Sequence, residues 1–225
     1  SVFHYIDGEI KHIHHGWEPL EVAQIFGFND LTCSMLGLDE DHRLAAPGRL
    51  MGYSSYGTDQ EIVRNWLKEK KWYRDLWGKN QTFFKDASRI FNKQVSSFDI
   101  REQIFMDIAA SCQKELENVL LSLFKEYKEK TNAEYLYYSG GVALNIDLNT
   151  KLLESKIFNN VYIPPCCSDT GLALGAASIV NFLRGKTIDK HSPFLNSIGI
   201  NTKSVKKLND DIVDEVIKRL LKGQV

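Results

Sequence analysis

No two of the four cysteines stand in a Cys-x-x-Cys pair, which argues against a zinc site. Cys166 and Cys167 are adjacent, a spacing that makes an unstrained disulfide difficult, so reduced thiols are expected. No apolar run approaches the ~20 residues that span a bilayer. Nor is there a basic start followed by an apolar stretch and a small-residue cleavage site. Net charge is lacking too: 28 basic against 29 acidic residues leave −1, with no broad basic field to draw nucleic acid. A cytoplasmic location, with no DNA and no membrane partner, is the resulting expectation. What remains is a chain of 225 residues, 43% hydrophobic, enough for one large domain or two small ones.

Strand-like runs flank Asp7-Gly8, a hairpin signal. The rhythm of WEPLEVAQIFGF predicts a helix ending at Gly27. DLTCSMLGLDED and LAAPGRLMGYSSYG predict short helices and turns. Thr58 is placed to cap an amphipathic helix over 59–77 that carries Ile62, Val63, Trp66 and Leu67. The following mixed segment, 78–99, has no clear period. Ser97 or Asp99 then opens a long helix, with Ile104, Ile108, Cys112, Leu116 and Leu123 at helical spacing until near Lys130. Beyond it, EYLYYS and NVYIPP predict strands, while VALNIDLNTKLLES, DTGLALGAASIVNFLRG and DDIVDEVIKRLLKG predict helices. This alternation argues for an α/β fold, a sheet covered by helices.

Two strand-to-helix junctions carry the chemistry. In the first, Ser139-Gly140-Gly141 ends a strand just before a helix, where free N–H groups carry positive partial charge. Glycine there lets a phosphate or ribose approach the backbone, and Asn145 is placed to reach back with donor and acceptor together. Tight packing alone would also ask for the two glycines. In the second, Pro164-Pro165 stops a strand and Asp169 opens the next helix. That carboxylate either serves the helix as its N-cap or a first-turn residue that complements the dipole, or binds a cation beside a phosphate, at the strand end where open α/β sheets place ligands. Gly171, Ala173, Gly175, Ala176 and Ala177 give the next helix a small face, for packing or for a ligand. His12 and His14 share a strand face without a third ligand and read as ordinary hairpin residues. Arg43, Arg49, Lys68, Lys70 and Lys71 read as solvated charges, Arg49 excepted, and Trp66, Trp72 and Trp77 as packing residues.

GGVALN, then Asn149, then VYIPP-x-x-SDTGLALGAA, closely resembles the carbamoyltransferase family of nodulation and antibiotic-tailoring O-carbamoyltransferases. Gly48 to Gly57, GRLMGYSSYG, is similar to the family's Gly-Lys-x-Met-Gly-Leu-Ala-x-Tyr-Gly stretch. Arg49 stands where the family has Lys, keeping the charge in a planar fork. His14-His15-Gly16 stands where the family has Ser-Leu-Gly.

The resemblance implies an actin-like ATPase (ribonuclease H-like) lobe, a mixed sheet flanked by helices, spanning 1–225 as the second lobe of an adenylating domain. It implies ATP contacts from Gly140, Gly141, Asn145 and Arg49, and a divalent metal (Mg, Mn or Fe) at Asp169. It identifies no catalytic side chain. It further implies carbamoyl phosphate and a hydroxyl-bearing small molecule as substrates, with a carbamoyl-adenylate between them. The family's His-x-x-x-His pair and Gly-Pro-Arg-Ala-Leu-Gly motif do not occur. The expectation is therefore a middle portion of a longer enzyme, inert by itself. Two other readings stay open: a tRNA threonylcarbamoyl-adenosine-type or sugar-kinase-like ATPase, and a nucleotide-binding protein that transfers nothing.

Overall fold

A computed structural model describes residues 1–14, 46–70, 80–186 and 210–222. Its contacts divide it into two units, Ser1–Leu172 and Ala173–Val225. The expected helix over 17–28, the turns of 30–41, and Cys33, Arg43, Lys71, Trp72, Trp77, His15 and Gly16 lie outside the described residues.

The first unit opens with the expected hairpin, β1 (Val2–Ile6) antiparallel to β2 (Glu9–His14). Asp7 and Gly8 make its turn at φ 52° and 82°, the positive values that a two-residue primed turn needs. α1 (Ala46–Ser54) gathers APGRLMGYS into a single helix, with Pro47 in the first turn, where a missing N–H costs nothing.

α2 (Glu61–Glu69) starts later than a Thr58 cap would have it; Gln60 holds the cap position. The reason is Asp107, a buried carboxylate that accepts the Thr58 N–H and Gln60 Nε2, each at 2.8 Å. Ser111 Oγ accepts the Gln60 N–H at 3.0 Å. Residues 58–60 are thus held as a loop. α3 (Asn80–Ile90) fills the segment whose period was unclear.

α4 (Gln103–Thr131) is the long expected helix, 29 residues or about 43 Å at 1.5 Å per residue. It opens at Glu102, not at Ser97 or Asp99, because Asp99 turns back on Arg101 and accepts its backbone N–H at 2.9 Å. Asn132 closes it in the left-handed conformation, φ 54°, its N–H on Lys128 O at 2.8 Å. Ile104, Phe105, Ile108 and Cys112 of α4 join Leu50, Val63, Trp66, Leu67, Phe83 and Phe84 in the core. Full burial of such side chains stabilises by roughly 1.5–3 kcal/mol each. Burial, followed by the nearby Glu115 charge, pushes the Cys112 thiol well above its ordinary range. Lys68 is more than a solvated charge: its Nζ lies 2.8 Å from the buried carboxylate of Glu115.

Beyond α4, β3 (Tyr135–Tyr137) pairs in parallel with β4 (Asn160–Tyr162), and α5 (Ile146–Ser155) makes the crossover. An α/β architecture is what results. A single mixed sheet is not: among the described residues the antiparallel and parallel pairs are separate two-stranded sheets. β3 and β4 have three residues each before Ser139-Gly140 and Pro164 turn the chain away, which keeps their ladder short. The second unit holds α6 (Leu172–Leu183), from its second residue onward, and α7 (Asp210–Leu221).

Candidate functional site

Parallel pairing puts the carboxyl ends of β3 and β4 side by side, so both motif loops leave the same edge. A shared acceptor ties them. The Cys167 carbonyl oxygen takes the Gly140 N–H at 2.6 Å and the Ser139 hydroxyl at 3.0 Å.

Gly140 sits at φ 116°, a conformation that L side chains rarely adopt. Gly141 has ordinary φ, is exposed, and a Cβ built on it would meet nothing within 4 Å. Backbone conformation therefore accounts for Gly140, whereas neither conformation nor packing asks for glycine at 141. Gly171 is a packing glycine: its Cβ would fall 2.1 Å from the Cys166 carbonyl oxygen. Ala173, Gly175, Ala176 and Ala177 belong to the second unit and are exposed.

The helix expected from Val142 onward is broken at Asn145, between a 3-10 turn (Gly141–Leu144) and α5. Asn145 has extended backbone and caps α5, its Oδ1 accepting the Leu148 N–H at 2.9 Å. Its amide also faces that of buried Gln113 on α4. Asn145 Nδ2 donates to Gln113 Oε1 at 2.9 Å, and Gln113 Nε2 donates to Asn145 Oδ1 at 3.0 Å. Two donors therefore fill both lone-pair positions of Oδ1, and one Nδ2 hydrogen is left over. Asn145 cannot offer a ligand donor and acceptor together, as its position in the sequence suggested; it offers a donor. Nearby, Asn149 Nδ2 donates to Ala143 O at 2.8 Å.

Asp169 begins a 3-10 turn (Asp169–Gly171), and Ser168, not Asp169, holds the cap position. The Asp169 side chain is exposed, and no hydrogen bond or ion pair among the described residues engages it. Among the described residues, no group of three or more His, Cys, Asp or Glu could hold a metal ion. A divalent cation at Asp169 would have one carboxylate ligand from the described residues and would need phosphate oxygens and water to complete its sphere.

Arg49 is exposed on α1, and no hydrogen bond or ion pair among the described residues joins it to the β3 or β4 loop. His12 stacks on Phe3 with centroids 4.7 Å apart, and His14 faces the Tyr127 ring at 5.9 Å. Tyr138, just before the glycine loop, is half-buried. Desolvation, then the neighbouring Cys167, holds its phenol proton far above the ordinary range.

Sequence reasoning missed Gln113 and Glu117, both buried on α4. Gln113 Nε2 also donates to Glu117 Oε1, at 3.1 Å. Their signal was there: two polar residues at i and i+4, each beside the apolar stripe at Cys112 and Leu116. The Cys167 carbonyl, a main-chain group, left no such signal.

The family profile described as carbamoyltransferase N-terminus matches residues 21–178. The 3'-hydroxymethylcephem-O-carbamoyltransferase of Amycolatopsis lactamdurans is 30% identical over 176 residues, 74% of this chain and 30% of that protein. Nodulation protein NolNO of Sinorhizobium fredii is 40% identical over 75 residues, 33% of this chain and 11% of that protein. A tRNA N6-adenosine threonylcarbamoyltransferase of a Synechococcus strain is 39% identical over 85 residues, 36% of this chain and 23% of that protein. The chain thus spans under a third of the length of each of these relatives. No helix among the described residues is long and apolar enough to cross a membrane.

Proposed function

The chain belongs to the carbamoyltransferase family, and from that premise we propose that it supplies nucleotide and metal contacts to an ATP-dependent O-carbamoyltransferase. The observation that carries this reading is the edge shared by the two loops. One presents Gly141, which packing does not require; the other presents the unengaged carboxylate of Asp169. A polyphosphate beside Gly141 gains backbone donors at the start of a helical turn, and a cation on Asp169 neutralises its charge.

In this reading carbamoyl phosphate is broken down elsewhere in the protein. The carbamate oxygen then bonds to the α-phosphorus of ATP, and pyrophosphate leaves. The oxygen of an acceptor hydroxyl next bonds to the carbamoyl carbon, and AMP leaves as the hydroxyl proton is lost. Such steps need positioning and charge neutralisation more than a nucleophilic side chain. Gly140, Gly141 and Asn145 position the nucleotide, Arg49 is a candidate phosphate partner, and Asp169 would hold a magnesium, manganese or iron ion, which would neutralise phosphate charge. Calorimetric titration of ATP with each metal into the full-length protein, wild type against Asp169→Ala, tests this. Metal-dependent affinity should be lost; unchanged affinity and activity would remove Asp169 from the site.

The match to a tRNA N6-adenosine threonylcarbamoyltransferase favours a second reading, in which the same nucleotide site serves tRNA modification. Loss of threonylcarbamoyl-adenosine from tRNA on gene deletion would select it.

A further inference from the structure

We propose that Glu117 and Gln113 are positioning residues that orient the Asn145 amide so that it presents an N–H donor, never its carbonyl, to the bound nucleotide. This rests on the nucleotide reading above and adds the device that sets the polarity of one contact.

The argument starts at Glu117, whose carboxylate only accepts hydrogen bonds. It is buried on α4 and takes one hydrogen of Gln113 Nε2 at 3.1 Å. It also lies 3.9 Å from Lys114 Nζ. The second hydrogen of Gln113 Nε2 goes to Asn145 Oδ1 at 3.0 Å. Turning the Gln113 amide over would point its carbonyl at a carboxylate, so Glu117 dictates which way it lies.

The far end agrees independently. The Leu148 N–H can only donate, and it donates to Asn145 Oδ1 at 2.9 Å. An acceptor-only group at one end and a donor-only group at the other therefore impose the same orientation on both amides. In the reciprocal pair, the Nδ2 hydrogen on the Oδ1 side of Asn145 meets Gln113 Oε1. The other hydrogen points away from Gln113. A lone donor suits an acceptor on the nucleotide: a phosphate oxygen, a ribose oxygen or a base ring nitrogen. Capping α5 needs only the bond to Leu148; burying an amide and a carboxylate behind it has a cost that the cap does not require.

The test is ATP affinity by calorimetry in the full-length protein, for Asn145→Ala, Gln113→Leu, Gln113→Glu and the double variant Gln113→Leu/Asn145→Ala. Each single variant should weaken ATP about tenfold or more, the effect of losing a hydrogen bond to a charged partner. Gln113→Glu keeps the shape but turns acceptors toward both Glu117 and Asn145 Oδ1. The double variant should bind no more weakly than Asn145→Ala, since Gln113 acts only through Asn145. In wild type, nitrogen-15-resolved proton spectra should show one Asn145 Nδ2 hydrogen shifting as ATP is added while its partner stays fixed. Unchanged affinity in Asn145→Ala overturns the nucleotide reading itself. A weakened Asn145→Ala beside Gln113 variants at wild-type affinity overturns the positioning role alone, as does extra loss in the double variant; two stationary Asn145 resonances overturn the Asn145 contact with the nucleotide.

Discussion

The side-chain amides of Gln113 and Asn145, 32 positions apart, bond reciprocally at 2.9 and 3.0 Å and join α4 to the start of α5. Gln113→Ala strands a donor on Asn145 and removes a donor from Glu117. A stability loss of about 1–3 kcal/mol is expected for such unsatisfied buried groups, measured as a lower urea midpoint at unchanged slope. Asn145→Asp retains a capping oxygen and should lose less than Asn145→Ala, which also forfeits a cap of about 1 kcal/mol.

Glycine substitutions should separate packing from ligand approach. A Cβ on Gly57 would lie 2.0 Å from the Met106 carbonyl oxygen, and one on Gly171 2.1 Å from that of Cys166. Gly57→Ala and Gly171→Ala are expected to destabilise by roughly 1–3 kcal/mol or more through overpacking. Gly141→Ala, with open space around it, should melt close to wild type yet bind ATP more weakly. Thermal melts and ATP titrations of the three variants check this together; full ATP affinity in Gly141→Ala would leave that glycine without a ligand role.

Asp169 makes its prediction by being unengaged. Asp169→Asn alters no bond described in the fold and removes only a favourable charge at a helical start. The stability change should therefore stay within about 1 kcal/mol. The metal-dependent part of ATP binding should vanish. A variant that unfolds instead would assign Asp169 to the scaffold.

High pH offers a test of the contact between α1 and the 98–100 turn. The Tyr53 hydroxyl donates to Ile100 O at 2.8 Å. Burial, then the Asp99 charge, pushes its pKa up to about 12, against about 10 in an unfolded chain. A raised phenol pKa means that the fold favours the protonated form, so this stabilisation is complete below pH ~10 and is lost as pH rises toward 12. The melting-temperature advantage of wild type over Tyr53→Phe should shrink across that interval. A constant difference would show that Tyr53 ionises as freely in the folded protein as in the unfolded chain.

How far the sequence revealed this structure depended on whether the deciding interaction was local. The Asp7-Gly8 turn is set by two residues and was legible, as was the long helix, whose apolar stripe repeats over many turns. Helix starts were not: Thr58 and Asp99 have the chemistry of caps, but Asp107 pins the Thr58 backbone N–H in a loop and the Arg101 N–H donates to the Asp99 carboxylate. The candidate site divides the same way. Gly140 and Asp169 announce themselves beside strand ends, whereas the orientation of Asn145 depends on Gln113 and Glu117, which only tertiary packing brings near. Position alone suggested that Asn145 was free to offer both of its polar atoms; its partners withdraw one of them.

The bond acceptor that joins the two motif loops is the main-chain oxygen of Cys167, not its thiol. Every residue type carries that oxygen, so the joint is indifferent to what stands at position 167, provided the side chain fits its buried place. Side-chain mutagenesis at 167 therefore cannot cut the tie directly. Cutting it takes both donors: exchanging the amide of Gly140 for an ester deletes the N–H, and Ser139→Ala removes the hydroxyl, so that together they undo the joint with Cys167 untouched.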